Sequence, residues 1–188
     1  MFRRSRFFGR HRARLPVWAG LLLISLVACR AYYSRSIVPV VSQPGAYRVE
    51  RVIDGDTLVL QGGQRVRLIG VDTPETMDPH RPVEPLGKEA SAFTRKHVEG
   101  KLVELQFDRE RVDRYGRTLA YVYVEKSTFQ PGAGKWFLNE ELIRAGLSPA
   151  KLGYHYSAAM KRRFRLAEEE ARRTRAGLWN AKLIPDHK

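Results

Sequence analysis

Apolar and polar positions alternate in short runs along the body of the chain, beginning at Tyr47. Tyr47, Val49 and Val52-Ile53 make the first run, Thr57-Leu58-Val59-Leu60 the second, and Val66, Leu68 and Ile69-Gly70-Val71 the third. A period of two is that of a half-buried strand. Gly62-Gly63, with a Gln on either side, stands between the second and third runs and carries hairpin turn chemistry, so the pattern predicts a three-stranded meander. From Leu86 to Val98 the period lengthens. Leu86, Ala90, Phe93 and His97 recur at helical spacing, and Gly100 stops the run. Leu102, Val103, Leu105 and Phe107 predict a fourth strand and Leu119 to Val124 a fifth, with Tyr115-Gly116 in the turn between. Past the loop Pro131-Gly132-Ala133-Gly134, Trp136 to Ala145 reads as a second helix ended by Gly146, with Leu138, Leu142 and Ile143 on it. Ser157 to Arg175 is the third: Met160, Phe164, Ala167 and Ala171 share a face, Glu168–Arg172 and Glu169–Arg173 are favourable pairs four apart, and Gly177 is a natural C-cap.

Five short strands interrupted by helices predict an α+β chain: a five-stranded Greek-key barrel of the OB-fold type with three helices. That scaffold commonly binds oligonucleotides. The fold alone carries no chemistry.

Ahead of Tyr47 the pattern changes. Residues 1–14 hold six arginines, and Leu15 to Ala28 is an uncharged apolar stretch of 14 residues, short of the ~20 that a membrane-spanning helix takes. A basic segment, a short apolar run and small residues together mark a secretory signal peptide. The run closes in Leu26-Val27-Ala28-Cys29, which is similar to the lipobox of bacterial lipoproteins, where the cysteine becomes the lipidated first residue. The alternatives are a short membrane anchor extended through Tyr32 and Tyr33, a plain cleaved signal, or an Arg-rich arm that binds nucleic acid. Arg3-Arg4 hints at a twin-arginine signal, with Phe7 one place late. The expected organisation is a signal peptide or short anchor over 1–28, a flexible tether over 29–46, a folded domain over 47–180 and a tail over 181–188. The expected location is the cell envelope, exported and membrane-anchored in lipoprotein fashion, with secretion or single-pass anchoring as the alternative.

Composition narrows this further. A chain of 188 residues holds one domain plus an appendage rather than two sizeable domains. The formal net charge of +14 suggests an anionic partner. Nine arginines precede Glu50, the first acid, so from residue 50 onward only 25 bases face the 20 acids. Most of the basicity therefore lies outside the expected domain. The lone Cys29 excludes an intrachain disulfide and a Cys-based zinc site. At 43% hydrophobic and 29% charged, the body is of ordinary globular composition, not disordered.

The candidate chemistry sits at strand ends. Asp54-Gly55-Asp56-Thr57 opens the second strand, and alone is an Asp-Gly turn. The third strand carries Arg67 and ends in Asp72-Thr73-Pro74-Glu75-Thr76. Acids clustered in this way, with Pro74 stiffening the turn, suit an oxygen-ligand site for a hard divalent cation; alone, Asp72 to Glu75 is a capped turn. Asp113-Arg114-Tyr115-Gly116-Arg117 places a second arginine at the start of the fifth strand. An arginine fork binds two phosphate oxygens at once, although Arg117 taken alone reads as a solvated strand-edge charge.

With these residues in this order, the chain resembles the staphylococcal nuclease (thermonuclease) family from about Tyr47 to Trp179. The resemblance is carried by Ile53 to Thr57, Arg67-Leu68, Val71 to Thr76, Glu89 to Thr94, Tyr115-Gly116-Arg117, Leu119-Ala120-Tyr121, Asn139-Glu140 and Gly146-Leu147. It implies that Asp56 and Asp72 are calcium ligands together with the backbone carbonyl of Thr73, with Asp54 just outside them. It implies that Glu75 is the general base and that Arg67 and Arg117 grip the scissile phosphate. Tyr154 and Tyr156 fall where the family contacts nucleotide, and Arg114-Tyr115 where it contacts the terminal phosphate; a tyrosine pair at this spacing is as readily barrel packing. The implied activity is a calcium-dependent, sugar-nonspecific endonuclease acting on DNA and RNA and leaving 3′-phosphate ends, and a monomer is the default expectation.

The physical logic agrees. Water attacking an anionic phosphodiester brings more negative charge onto phosphorus, which a divalent ion and two guanidiniums offset. A cationic groove that grips the backbone is sequence-tolerant and salt-sensitive. A surface-tethered OB module that binds nucleic acid without cutting it is the alternative, as is an adhesion or membrane-surface protein. Three features depart from the family pattern: Met77 to Pro85 has Arg81 as its only cation, Lys126 to Lys135 is longer than usual, and Gly70 replaces a bulkier residue. The five positions Asp56, Arg67, Asp72, Glu75 and Arg117 are intact.

Overall fold

The computed structural model describes residues 24, 25, 30, 40–74, 86–126 and 134–180. The chain divides into two units, Met1–Val38 and Pro39–Lys188, and all the elements below belong to the second. Cys29, Glu75, the greater part of the segments expected over 1–28 and 29–46, and the tail from 181 lie outside the described residues.

Among the described residues, six strands form one sheet: β1 (Gly45–Asp54), β2 (Thr57–Leu60), β3 (Arg65–Leu68), β4 (Leu102–Gln106), β5 (Thr118–Glu125) and β6 (Lys135–Phe137). Their order is β3-β2-β1-β4-β5-β6, and a parallel pairing of β3 with β5 closes the first five into a barrel. The long strand β1 makes this possible. Its first half pairs with β4 and its second with β2, and two register shifts near Val49 and Val52 bend it between the two faces. The five-stranded barrel and three helices expected from the periodicity are present.

Among the described residues of the second unit, the helices are α1 (Gly87–Val98), α2 (Leu138–Arg144) and α3 (Ala158–Thr174), with a short 3-10 turn at Gly177–Trp179. Val49, Leu58, Leu60, Val66, Leu68, Leu105 and Val122 fill the barrel, while Leu138, Leu142 and Ile143 of α2 and Phe164 of α3 close it, all fully buried. Burial of each such side chain contributes about 1.5–3 kcal/mol. Asn139 is a fully buried polar residue in this layer. Its Oδ1 accepts from the Val122 N–H at 3.0 Å, and its Nδ2 donates to the Ile69 and Ala120 carbonyls at 2.9 and 3.3 Å.

Two expectations need correcting. Trp136 to Ala145 is not one helix: Trp136 and Phe137 belong to β6, opposite Val124 and Tyr123, and the helix begins at Leu138. The Phe137 ring stacks on Tyr123 at 4.6 Å, and Trp136 packs against His97 and Phe93 of α1 at 4.2 and 5.7 Å. These contacts draw the two aromatic residues into the sheet; in a short apolar run, periodicity alone does not separate strand from helix. Nor is Gly177 the cap of α3. Arg175 takes the left-handed position, with φ 53°, and Gly177 instead permits close approach of two loops. A Cβ there would lie 2.2 Å from the carbonyl oxygen of Gly146, which accepts the Leu178 N–H at 2.8 Å.

Candidate active site

The tight turn from β1 to β2 presents Asp54 and Asp56. Asp56 is 2% exposed, and each of its polar groups is engaged. Its N–H donates to Asp54 Oδ1 at 3.2 Å, Oδ1 accepts from the Thr57 hydroxyl at 3.1 Å, Oδ2 accepts from the Thr73 N–H at 2.8 Å, and its carbonyl accepts from the Leu68 N–H at 2.9 Å. A carboxylate this buried persists only with such partners. Arg67 projects from β3, which pairs with β2 through Arg67 and Thr57. Its Nη1 pairs with Asp56 Oδ1, and its Nη2 donates to Asp72 Oδ1 at 2.8 Å.

Asp72 follows Val71, which bridges to Ala150, and its own N–H donates to Ser148 Oγ at 2.8 Å. Its second oxygen, Oδ2, lies 2.8 Å from Lys151 Nζ. The hydrogen bond to Asp72 raises the pKa of Lys151 above its ordinary value. Burial raises the pKa of Asp54, against a hydrogen bond from Thr57 and the charge of Arg67. Burial lowers that of Arg67; Asp72 opposes this effect, and the positive charge of Arg117 adds to it. The two arginines thus lie within each other's field.

Arg117 is held by the turn that leads into β5. Its Nε donates to Asp113 Oδ2 at 2.6 Å, while the N–H groups of Arg117 and Tyr115 both donate to Asp113 Oδ1 at 2.9 Å. Burial alone would raise the pKa of Asp113, but hydrogen bonds from Arg117 and Tyr115 outweigh it and hold the carboxyl below its ordinary value. The guanidiniums of Arg114 and Arg117 lie 4.7 and 5.3 Å from the centre of the Tyr115 ring, and Arg114 Nη2 donates to the Tyr115 hydroxyl at 2.6 Å.

These residues border a cavity of about 370 Å³, lined among others by Arg67, Arg114, Tyr115, Arg117, Tyr154, His155 and Tyr156. The volume lies within the range of small-ligand sites. The two tyrosines differ in setting. Tyr154 is 58% exposed, whereas Tyr156 is 3% exposed, packs on Phe164 at 5.9 Å and donates its hydroxyl to the Lys151 carbonyl at 2.9 Å. Burial, with Asp108 nearby, pushes the Tyr156 hydroxyl up to about 12.

Asp56 and Asp72 converge on one positive centre, the Arg67 guanidinium, and offer only oxygen donors. That donor set fits a hard divalent cation. Among the described residues, no group of three or more His, Cys, Asp or Glu holds a metal by itself, so further ligands would be backbone oxygens or water. Asp113 and Lys151 have no role in the sequence expectations. The Asp113 signal is local, an Asp three residues ahead of Gly116 in a turn. Lys151 has no such signal, because its partner Asp72 lies on a distant segment.

A family model described as staphylococcal nuclease homologue matches residues 65–181. The chain is 42% identical over 137 residues to a thermonuclease of Staphylococcus hyicus, covering 71% of this chain and 75% of that protein. It is 44% identical over 137 residues to a thermonuclease of Staphylococcus intermedius, covering 71% and 76%. It is also 37% identical over 136 residues to the endonuclease YncB of Bacillus subtilis, covering 70% and 60%.

Proposed function

The chain belongs to the staphylococcal nuclease family and is a nuclease, and from that premise we propose that it is a calcium-dependent, sugar-nonspecific endonuclease that cuts DNA and RNA and leaves 3′-phosphate ends. The observation that carries the reading is the meeting of Arg67 and Arg117 at one cavity beside Asp56 and Asp72. Arg67 and Arg117 grip the scissile phosphate and offset the charge that grows on its oxygens as water attacks; a preorganised donor of this kind is worth about 2.7–4 kcal/mol of transition-state stabilisation. The water oxygen bonds to phosphorus as the bond to the 5′ oxygen breaks, and the 5′ oxygen departs with a proton. Glu75 is the base that takes the proton from the water. Asp56, Asp72 and the Thr73 carbonyl hold calcium, which when bound polarises the phosphate oxygens. Arg114, Tyr115 and Tyr154 hold the flanking nucleotide, and Tyr156, whose N–H donates to the Tyr154 carbonyl at 3.1 Å, steadies the backbone there.

We further assign residues 1–28 to a signal, with Cys29 as the lipidated residue, 29–46 to a tether, 47–180 to the nuclease domain of a monomer, and 181–188 to a tail. The enzyme then works outside the cell membrane. The basic and apolar pattern of the first 28 residues supports this.

The experiment is incubation of the full-length protein with single-stranded DNA and with RNA, in calcium or in chelator, beside Glu75→Ala. Calcium-dependent cutting of both substrates is expected. A retarded complex without cutting beyond the Glu75→Ala level would favour the non-catalytic binding module instead. Mass analysis of the mature N-terminus is expected to show acylated Cys29, and an intact Met1 would reject that assignment.

A further inference from the structure

Lys151 stands against Asp72 in a place that local sequence does not suggest. Both oxygens of Asp72 are covered, Oδ1 by Arg67 Nη2 and Oδ2 by Lys151 Nζ, each at 2.8 Å. The backbone under Lys151 is fixed from three sides. Its N–H donates to the Gly70 carbonyl at 3.0 Å, its carbonyl accepts the buried Tyr156 hydroxyl at 2.9 Å, and the preceding Ala150 bridges to Val71, next to Asp72. Ser148 adds a fourth tie by accepting the Asp72 N–H at 2.8 Å. A lysine on a free loop would sample many positions; this one is delivered to one carboxylate oxygen.

The two cations on Asp72 are not equivalent. The Arg67 side chain is 15% exposed and is also tied to Asp56. The Lys151 side chain is 41% exposed, and among the described residues it has no second carboxylate at ion-pair distance. A divalent ion that coordinates Asp72 therefore meets Lys151 first. It must displace the ammonium or accept a like charge beside it. We propose that Lys151 is a built-in counter-ion that competes with the divalent cation for Asp72 and thereby sets the calcium affinity of the site. The proposal rests on the reading of Asp72 as a metal ligand.

The test is calorimetric titration of the full-length protein with calcium in the absence of nucleic acid. Lys151→Met is expected to bind calcium about three- to fivefold more tightly than wild type, the scale of one half-exposed ion pair. Its calcium-induced rise in Tm should also exceed that of wild type. Lys151→Arg, which keeps the charge, should stay close to wild type. Lys151→Gln carries the same expectation as the methionine variant and replaces it if that variant does not fold. The gain should vanish when Lys151→Met is combined with Asp72→Asn.

Unchanged or weaker calcium binding in folded Lys151→Met or Lys151→Gln, with Asp72→Asn impaired, overturns the proposal and leaves Asp72 as a ligand. Wild-type calcium binding by Asp72→Asn overturns the ligand reading itself, and the proposal with it. A gain that survives in the Asp72→Asn background shows a diffuse charge effect and also overturns it.

Discussion

Arg117 and Asp113 form a closed pair across one turn, the guanidinium Nε donating to Oδ2 at 2.6 Å while the arginine N–H donates to Oδ1 at 2.9 Å. The carboxylate fixes both the backbone and the fork of the arginine, so on the mechanism proposed above Asp113 positions Arg117 for the phosphate. Asp113→Ala is expected to lower kcat about tenfold, equivalent to about 1.4 kcal/mol of barrier, with a smaller change in KM. Asp113→Glu should recover part of the loss. Steady-state kinetics on a short oligonucleotide makes the comparison. A change confined to KM would assign Asp113 to binding alone.

Gly70 is expected to tolerate no side chain. Its φ is +75°, and an added Cβ would lie 2.4 Å from Cε2 of the buried Phe164 ring. Gly70→Ala should destabilise by about 2–4 kcal/mol, combining left-handed strain with overpacking. Urea unfolding measures this, and Phe164→Leu, which opens space at the ring edge, should cost less in the Gly70→Ala background than in wild type.

Asn139→Ala removes the acceptor of the buried Val122 N–H and the donor to two carbonyls. The expected loss is about 2–4 kcal/mol, because the stranded groups have no access to water. Asn139→Asp keeps the acceptor but buries a charge, and should be no better at neutral pH. Chemical denaturation distinguishes these outcomes from a harmless surface polar residue, whose removal would change stability by well under 1 kcal/mol.

Acid should loosen the joint between β5 and α3. Asp108 Oδ2 accepts the Tyr121 hydroxyl at 2.7 Å and the Ser157 N–H at 3.0 Å. Burial would raise the Asp108 pKa, yet these bonds and one from the Arg109 N–H hold it below its ordinary value. With the folded pKa below the unfolded one, the stabilisation is fully present above about pH 4 and fades as pH falls through the folded value. Asp113 follows the same sign. Asp108→Asn should therefore be less stable than wild type at neutral pH and show a flatter loss as pH falls below about 4 in acid titrations followed by circular dichroism.

The barrel strands were legible because each buries one face and shows it in alternation, and the Gly62-Gly63 hairpin because turn chemistry is local. Trp136 and Phe137 were not. Their strand pairing depends on Tyr123, Phe93 and His97, none of them adjacent in the chain. The site shows the same division. Asp56, Arg67, Asp72 and Arg117 stood out by residue type at strand ends, but the embrace of Asp72 by Lys151 and the buried setting of Tyr156 depend on the return of 148–156 to the barrel mouth. Gly70 carried no meaning until the Phe164 ring was placed against it.

The parallel seam between β3 and β5 sets Arg67 opposite Leu119, two residues past Arg117, with α1, β4 and their turns between them in the chain. Contacts of such long range form late, since the entropy of closing the loop is lost before the pairing rewards it. A hairpin or helix that forms before this seam would hold one guanidinium or the other, not both at one cavity. Recovery of cutting during refolding should then lag behind recovery of secondary structure, and denaturant should abolish both in a single step, the behaviour expected of an enzyme that cleaves only when fully folded.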